Sequence, residues 1–151
     1  MKNDLALAAL RLSGLFLAVG HGWGKVAALA SGDADGFIQG VASLGFPAPG
    51  LFAWAAALGE LAGGLLVFAG LGTRYAAALA GFTMFVAAFL RHKAHLHLLV
   101  KLGLMQAGEE TLRGWGNPEL AVIYLLVMIS LVLTGPGRFA LDRYIRPKGG
   151  R

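Results

Sequence analysis

The chain has 151 residues, of which 57% are hydrophobic and only 14% charged. A soluble domain carries roughly 25% charged residues, so this chain is too poor in charge to cover a water-exposed surface, and its mean hydropathy of +0.67 points the same way. The absence of cysteine excludes disulfides, thiol redox chemistry and thiolate metal ligands. The basic residues form no stripe interleaved with aromatics, which argues against nucleic acid as a partner.

The length suits a single domain spanning 1–151. Four apolar stretches predict helices over about 5–30, 50–71, 75–97 and 119–135. A span needs about 20 mostly apolar residues, so the pattern predicts an all-α fold, an integral membrane four-helix bundle whose partner is the lipid bilayer. The 23 glycines fit that reading, because small residues let membrane helices approach closely. In the first stretch Ala28-Leu29-Ala30 looks like a signal-peptide cleavage site, but Arg11, His21 and Lys25 interrupt the apolar run before it, which favours a retained span.

The connections set the orientation. Ser31 to Pro49 contains Asp33 and Asp35 but no Lys or Arg, and Gly72-Thr73-Arg74 is a tight turn. Arg91 to Pro118 is long, and Leu96–Leu102 within it reads as an interfacial helix. Gly135-Pro136-Gly137 ends the last helix before a basic tail. With both termini cytoplasmic, the inside holds Lys2, Arg74, Arg138, Arg143, Arg146, Lys148 and Arg151, and the outside holds Arg91, Lys93, Lys101 and Arg113. Seven basic residues against four favour that topology. It brings Gly135–Asp142 over the inner end of the bundle, with Asp142 near Arg74 or Arg11, and gives Arg11, Arg74, Gly135, Pro136, Gly137, Arg138 and Asp142 structural roles.

Ionisable residues within the spans are the candidate site. A charge near the bilayer centre costs about 2.5–3.5 kcal/mol on insertion scales. Arg11, Gly14, Ala18, His21, Gly22 and Lys25 fall on one helical stripe, and Glu60 lies near the middle of the second stretch. In an antiparallel hairpin Glu60 lies about 13.5 Å from the outer end of its helix, at a rise of 1.5 Å per residue. His21 lies at the same depth and Lys25 about one turn nearer the outside, so Glu60 is expected to face one of them. His92 and His95 are expected on one helical face, and Glu119 opens the last helix on the same side. His21, Lys25 and Glu60 thus form a candidate proton-transfer cluster, with His92 and Glu119 lining an outer pocket. His92, His95 and His97 also have the look of a metal-ligand cluster, but no complete ligand set is present.

These residues resemble the DoxX family of small four-helix membrane proteins. The resemblance runs from Arg11-Leu12 and Gly24-Lys25 through Gly45-Phe46-Pro47, Gly59-Glu60-Leu61-Ala62-Gly63-Gly64 and Gly70-Leu71-Gly72-Thr73-Arg74. It continues with Met84, Ala87, His92 and Glu119, and closes with Thr134-Gly135-Pro136-Gly137-Arg138-Phe139-Ala140-Leu141-Asp142. The stretch from Arg91 to Gly116 departs from it, being rich in His and Lys. The resemblance implies a multi-pass protein of the bacterial inner membrane. Related proteins include a subunit of a thiosulfate:quinone oxidoreductase, and others assemble with oxidative-stress enzymes. It therefore implies a subunit of a redox system, with quinone as a candidate cofactor and a soluble partner as electron source. The residues leave two other classes open: a non-catalytic scaffold that anchors a partner through the basic tail, and a small transporter or metal-handling protein.

Overall fold

The computed structural model describes residues 1–145, so Arg146, Lys148 and Arg151 of the basic tail lie outside the described residues. Every regular element among the described residues is helical. Helix α1 (Lys2–Leu17) passes through a π-helical turn, Ala18–Gly22, into α2 (Trp23–Ser31), giving one continuous helix of 30 residues. Helix α4 (Pro49–Ala69) has 21 residues, and α5 (Thr73–Phe85) continues through a second π-helical stretch, Val86–Arg91, to make 19. These three are long and apolar enough to cross a membrane. Helix α8 (Glu119–Thr134) has 16 residues and reaches that criterion only together with α7 (Glu109–Trp115), from which it is bent by 42°.

Helix α4 packs between α1 and α5, while α8 packs along α5 and also touches α1. Side chains such as Leu17, Val67, Ala80, Met84, Met128 and Leu131 fill the interior. Helices α1 and α4 are in backbone contact: a Cβ added at Gly14 would lie 2.5 Å from the Gly64 carbonyl oxygen, and one at Gly64 equally close to that of Gly14. This is the close approach that small residues permit between membrane helices. The outer surface carries Phe16, Tyr75, Phe82, Leu126 and Leu133, each more than half exposed. A contiguous surface of that kind is not stable in water, and it is the face of a multi-pass protein turned to lipid.

The connections differ from the sequence expectation in two places. The segment between the first two spans is not a plain loop but contains helix α3 (Asp35–Ala42), which packs on α4. The third helix does not run on to residue 97. It ends at Arg91, Lys93 takes a left-handed φ of 52°, and a separate helix α6 (Ala94–Lys101) follows. The bend falls on Arg91-His92-Lys93, where three polar residues in succession interrupt the apolar run. At the opposite end, Gly70 and Gly72 supply the positive φ of the turn between α4 and α5.

Candidate functional site

Arg11 forms a cluster at the end of the molecule that holds the α4–α5 turn. It is 6% exposed. Its Nε donates to the Val67 carbonyl and its Nη2 to that of Phe68, at 3.1 and 2.8 Å. Its Nη1 donates to the carbonyls of Phe139 at 2.9 Å and Pro136 at 3.3 Å. Carbonyls at a helix C-terminus lack intrahelical partners and carry the negative end of the helix dipole, so the guanidinium satisfies α4 while tying the Gly135–Asp142 segment to it. That segment is further fixed by Asp142 N–H to the Gly70 carbonyl and by Arg138 N–H to Asp4 Oδ1, both at 3.0 Å.

Asp142 lies beside Arg74, as the sequence suggested, but among the described residues it forms a salt bridge with neither Arg74 nor Arg11. Its Oδ1 accepts from Gly72 N–H at 2.8 Å and its Oδ2 from Thr73 N–H at 3.3 Å, so it caps the N-terminus of α5. Arg74 instead donates to the Leu133 carbonyl at 3.4 Å and lies beside Gly135. The carboxylate goes to backbone N–H groups because those of a first helical turn have no other partner.

The second cluster centres on Glu60, which is 2% exposed. Lys25 Nζ donates to its Oε1 at 2.5 Å, and the Lys25 ammonium also sits 5.3 Å from the centre of the Phe37 ring of α3. Glu60 Oε2 is buried with no hydrogen-bond partner among the described residues. The pair lines a cavity of about 320 Å³, walled by α3, α4 and the second π-helical stretch, with Arg91 and His92 at its rim. An apolar groove of about 220 Å³ adjoins it and shares Val41, Leu44, Ala56, Thr83 and Val86 as walls. Both π-helical stretches border this region. The first ends at Gly22, where an added Cβ would lie 2.5 Å from the Leu61 nitrogen, and the second supplies Val86, Ala87 and Arg91. Such stretches interrupt helices chiefly at functional sites.

His92 Nδ1 lies 2.8 Å from the Trp115 carbonyl, and Arg91 donates to the Gly114 carbonyl at 3.3 Å. The C-terminal end of α7 is thereby held against the rim.

Three of the five residues expected in one outer pocket meet: Lys25, Glu60 and His92. The other two do not. His21, within the π-helical turn, packs edge-on against Tyr124 of α8 with ring centres 6.0 Å apart. Of the stripe drawn at about 100° per residue, Gly14, Gly22 and Lys25 meet α4, while His21 turns to α8. Glu119 is exposed, pairs with Lys101 at 3.4 Å, and lines a different cavity with His95 and His97. His92 and His95 share no helical face because the chain turns at Lys93 between them. His95 stacks on Phe89 and His97 meets Trp115 edge-on. Among the described residues no three His, Asp or Glu side chains come together as a metal site. Phe37 and Thr83 line the Glu60 cavity unforeseen. The spacing of Asp35, Phe37, Val41 and Leu44 was the available signal for α3, since it is that of a short amphipathic helix opening on an acidic residue.

A comparison with models of known protein families matches one described as DoxX, over residues 6–93. The match covers more than half of the chain, takes in Lys25, Glu60, Arg91 and His92, and stops before α6. Comparisons with curated proteins and with solved structures found no match.

Proposed function

We propose, from the premise that the chain belongs to the DoxX family, that it is the membrane subunit of a redox system and binds a quinone in the cavity beside Glu60. The observation that carries this reading is a buried ion pair opening on a cavity that continues into an apolar groove. Ionisable groups within a span are expensive to place there and mark functional sites by default. Pockets for small molecules are mostly apolar with a few convergent polar groups, and this cavity has that composition. The residues fit a quinone: the groove suits an isoprenoid chain, and Lys25, Glu60 and His92 stand where a polar head would sit. A bound quinone supplies the capacity to take up or release two electrons with two protons. The chain's own part is to hold the head, to exclude water through Phe37, Val41 and Leu44, and to hold or accept a proton at Glu60 or His92. Electrons would come from a soluble partner.

In this reading α1–α2, α4, α5 and α8 form a four-helix bundle in a bacterial inner membrane, with both termini cytoplasmic. The location of the N-terminus, the α4–α5 turn and the Gly135–Asp142 segment at one end of the molecule supports it, as does the excess of basic residues on that side. A reporter fused after Arg151 should be active only in the cytoplasm, and periplasmic activity would reverse the topology. The quinone reading is tested by extracting protein purified from membranes with organic solvent. Quinone at close to one per chain is expected, and its absence from both the native and the quinone-supplemented sample would reject the reading.

A scaffold that uses the Lys25–Glu60 pair only to fix helix register is the second reading. It is favoured by the backbone contact of Gly22 with Leu61 at the same height, since a buried pair there aligns α1–α2 with α4 whether or not anything binds.

A further inference from the structure

We infer that the Glu60 cavity selects the reduced, dihydroxy form of its ligand over the oxidised, dicarbonyl form. The inference rests on the quinone reading and adds which redox state the site holds.

The acceptors decide it. The partner of His92 Nδ1 is the Trp115 carbonyl, and a carbonyl only accepts, so Nδ1 carries the proton and donates. In the neutral ring Nε2 is then an acceptor, and it makes no hydrogen bond among the described residues. Gly116 lies against the same ring: an added Cβ there would be 3.0 Å from Nδ1, so the α7 end fixes the ring's position as well as its tautomer. The second acceptor is Glu60 Oε2, buried and without a partner, while Oε1 is taken by Lys25. One buried acceptor, Glu60 Oε2, therefore borders the cavity without a donor among the described residues, and His92, on the same cavity, adds another acceptor that is not buried.

The donors at the same cavity are less demanding. Lys25 is 31% exposed, already holds Glu60 and faces the Phe37 ring. Arg91 is exposed and engaged with the Gly114 carbonyl. Exposed cations keep their water when a ligand offers nothing, whereas a buried acceptor does not, and leaving it unmade is the larger penalty. A head with two O–H groups satisfies both acceptors. A dicarbonyl head adds acceptors where acceptors already stand, and a methylated head has no donors.

The test is ligand binding to the full-length protein in lipid nanodiscs, without oxygen, using three short-tailed compounds of equal ring and tail: the hydroquinone, the quinone and the dimethyl ether. The hydroquinone should bind at least about tenfold more tightly than either of the others, the equivalent of one good hydrogen bond. Glu60→Gln replaces an acceptor by a donor at nearly constant shape and should abolish or invert that preference. Equal binding of all three, or tighter binding of the quinone, would overturn the selectivity and leave the quinone site standing. Binding of none of them would remove the site and the selectivity together. Because the wild-type series is decisive alone, failure of the variant to fold would not shelter the inference.

Discussion

The two ends of the helical hairpin each hold a cation from the first helix, buried at Arg11 and half-buried at Lys25, and they treat it in opposite ways. Around Arg11 every guanidinium nitrogen donates to a carbonyl, the partners are backbone atoms fixed by α4 and the Gly135–Asp142 segment, and no nitrogen of the group is left without a partner. Around Lys25 the partner is one carboxylate oxygen, the other oxygen has no donor, the surrounding helices widen into π-helical turns, and a cavity adjoins. A buried charge that the backbone satisfies completely has its whole effect on the fold. One left partly satisfied beside open space keeps capacity for a ligand, because buried polar groups without partners are rare and call for an explanation. The comparison separates a clamp from a site using hydrogen bonds alone.

The largest effect should come from the clamp. Arg11→Ala removes four hydrogen bonds from a charged donor and leaves the α4 carbonyls beside a void. A loss of about 3–5 kcal/mol is expected, the scale of breaking a buried charged contact, seen as a large drop in the thermal midpoint of the purified protein in nanodiscs. Arg11→Lys should recover little of it, since one ammonium cannot reach both α4 and the 136–139 carbonyls. If Arg11→Ala stayed near wild-type stability while ligand binding vanished, the roles of the two ends would be exchanged.

The Lys25–Glu60 pair should show a smaller stability effect and a larger functional one. Glu60→Gln and Lys25→Met, alone and combined, form a cycle whose coupling energy is expected at about 0.5–3 kcal/mol, the range for directly contacting groups. Glu60→Gln alone should abolish the preference for the hydroquinone over the quinone, with folding largely retained. Coupling close to zero would mean that the pair does not join α2 to α4 energetically. Ligand binding and redox preference unchanged in Glu60→Gln, with stability lowered, would favour the scaffold reading.

Much of this contrast was legible before any coordinates. Counting about 1.5 Å per residue inward from two helix ends put His21 at the height of Glu60 and Lys25 about one turn nearer the outside, and of the two it is Lys25 that makes the contact. The first two spans were marked by long apolar runs with clear ends, at a Gly in a left-handed conformation after Ser31 and at Pro49. What failed was whatever depended on departures from regular helix geometry. His21 shares the α4-facing stripe of Gly22 and Lys25 by count but meets Tyr124 instead, within the π-helical turn, and the left-handed Lys93 takes His95 away from His92 at the polar Arg91-His92-Lys93 triplet. The hydrogen bonds to backbone were equally invisible: Arg11 and Asp142 read as charges seeking opposite charges, while the structure gives them carbonyls and N–H groups, which every residue type supplies.

The smallest effect belongs to Asp142, and it tests how far the clamp extends. Its carboxylate accepts from the N–H groups of Gly72 and Thr73, where the positive end of the α5 dipole favours an anion. Removing such a cap costs about 0.5–2 kcal/mol, so Asp142→Ala should lower stability by about 1 kcal/mol and Asp142→Asn by less, because an amide oxygen still accepts. A pure ion pair with Arg74 predicts something different: Asp142→Asn would be as harmful as Asp142→Ala, and exchanging the two residues, Asp142→Arg with Arg74→Asp, would restore what either change lost. With a backbone cap the exchange should restore nothing, since an arginine at 142 offers donors to N–H groups that need an acceptor. Thermal unfolding of Asp142→Ala, Asp142→Asn, Asp142→Arg, Arg74→Asp and the double exchange in nanodiscs distinguishes the two accounts, and rescue by the exchange would replace the cap with the pair. If the cap holds, Asp142 and Arg11 act on the same segment from its two sides. The combined loss in Arg11→Ala with Asp142→Ala should then fall short of the sum, because once one anchor is gone the Gly135–Asp142 segment is already partly free of the other.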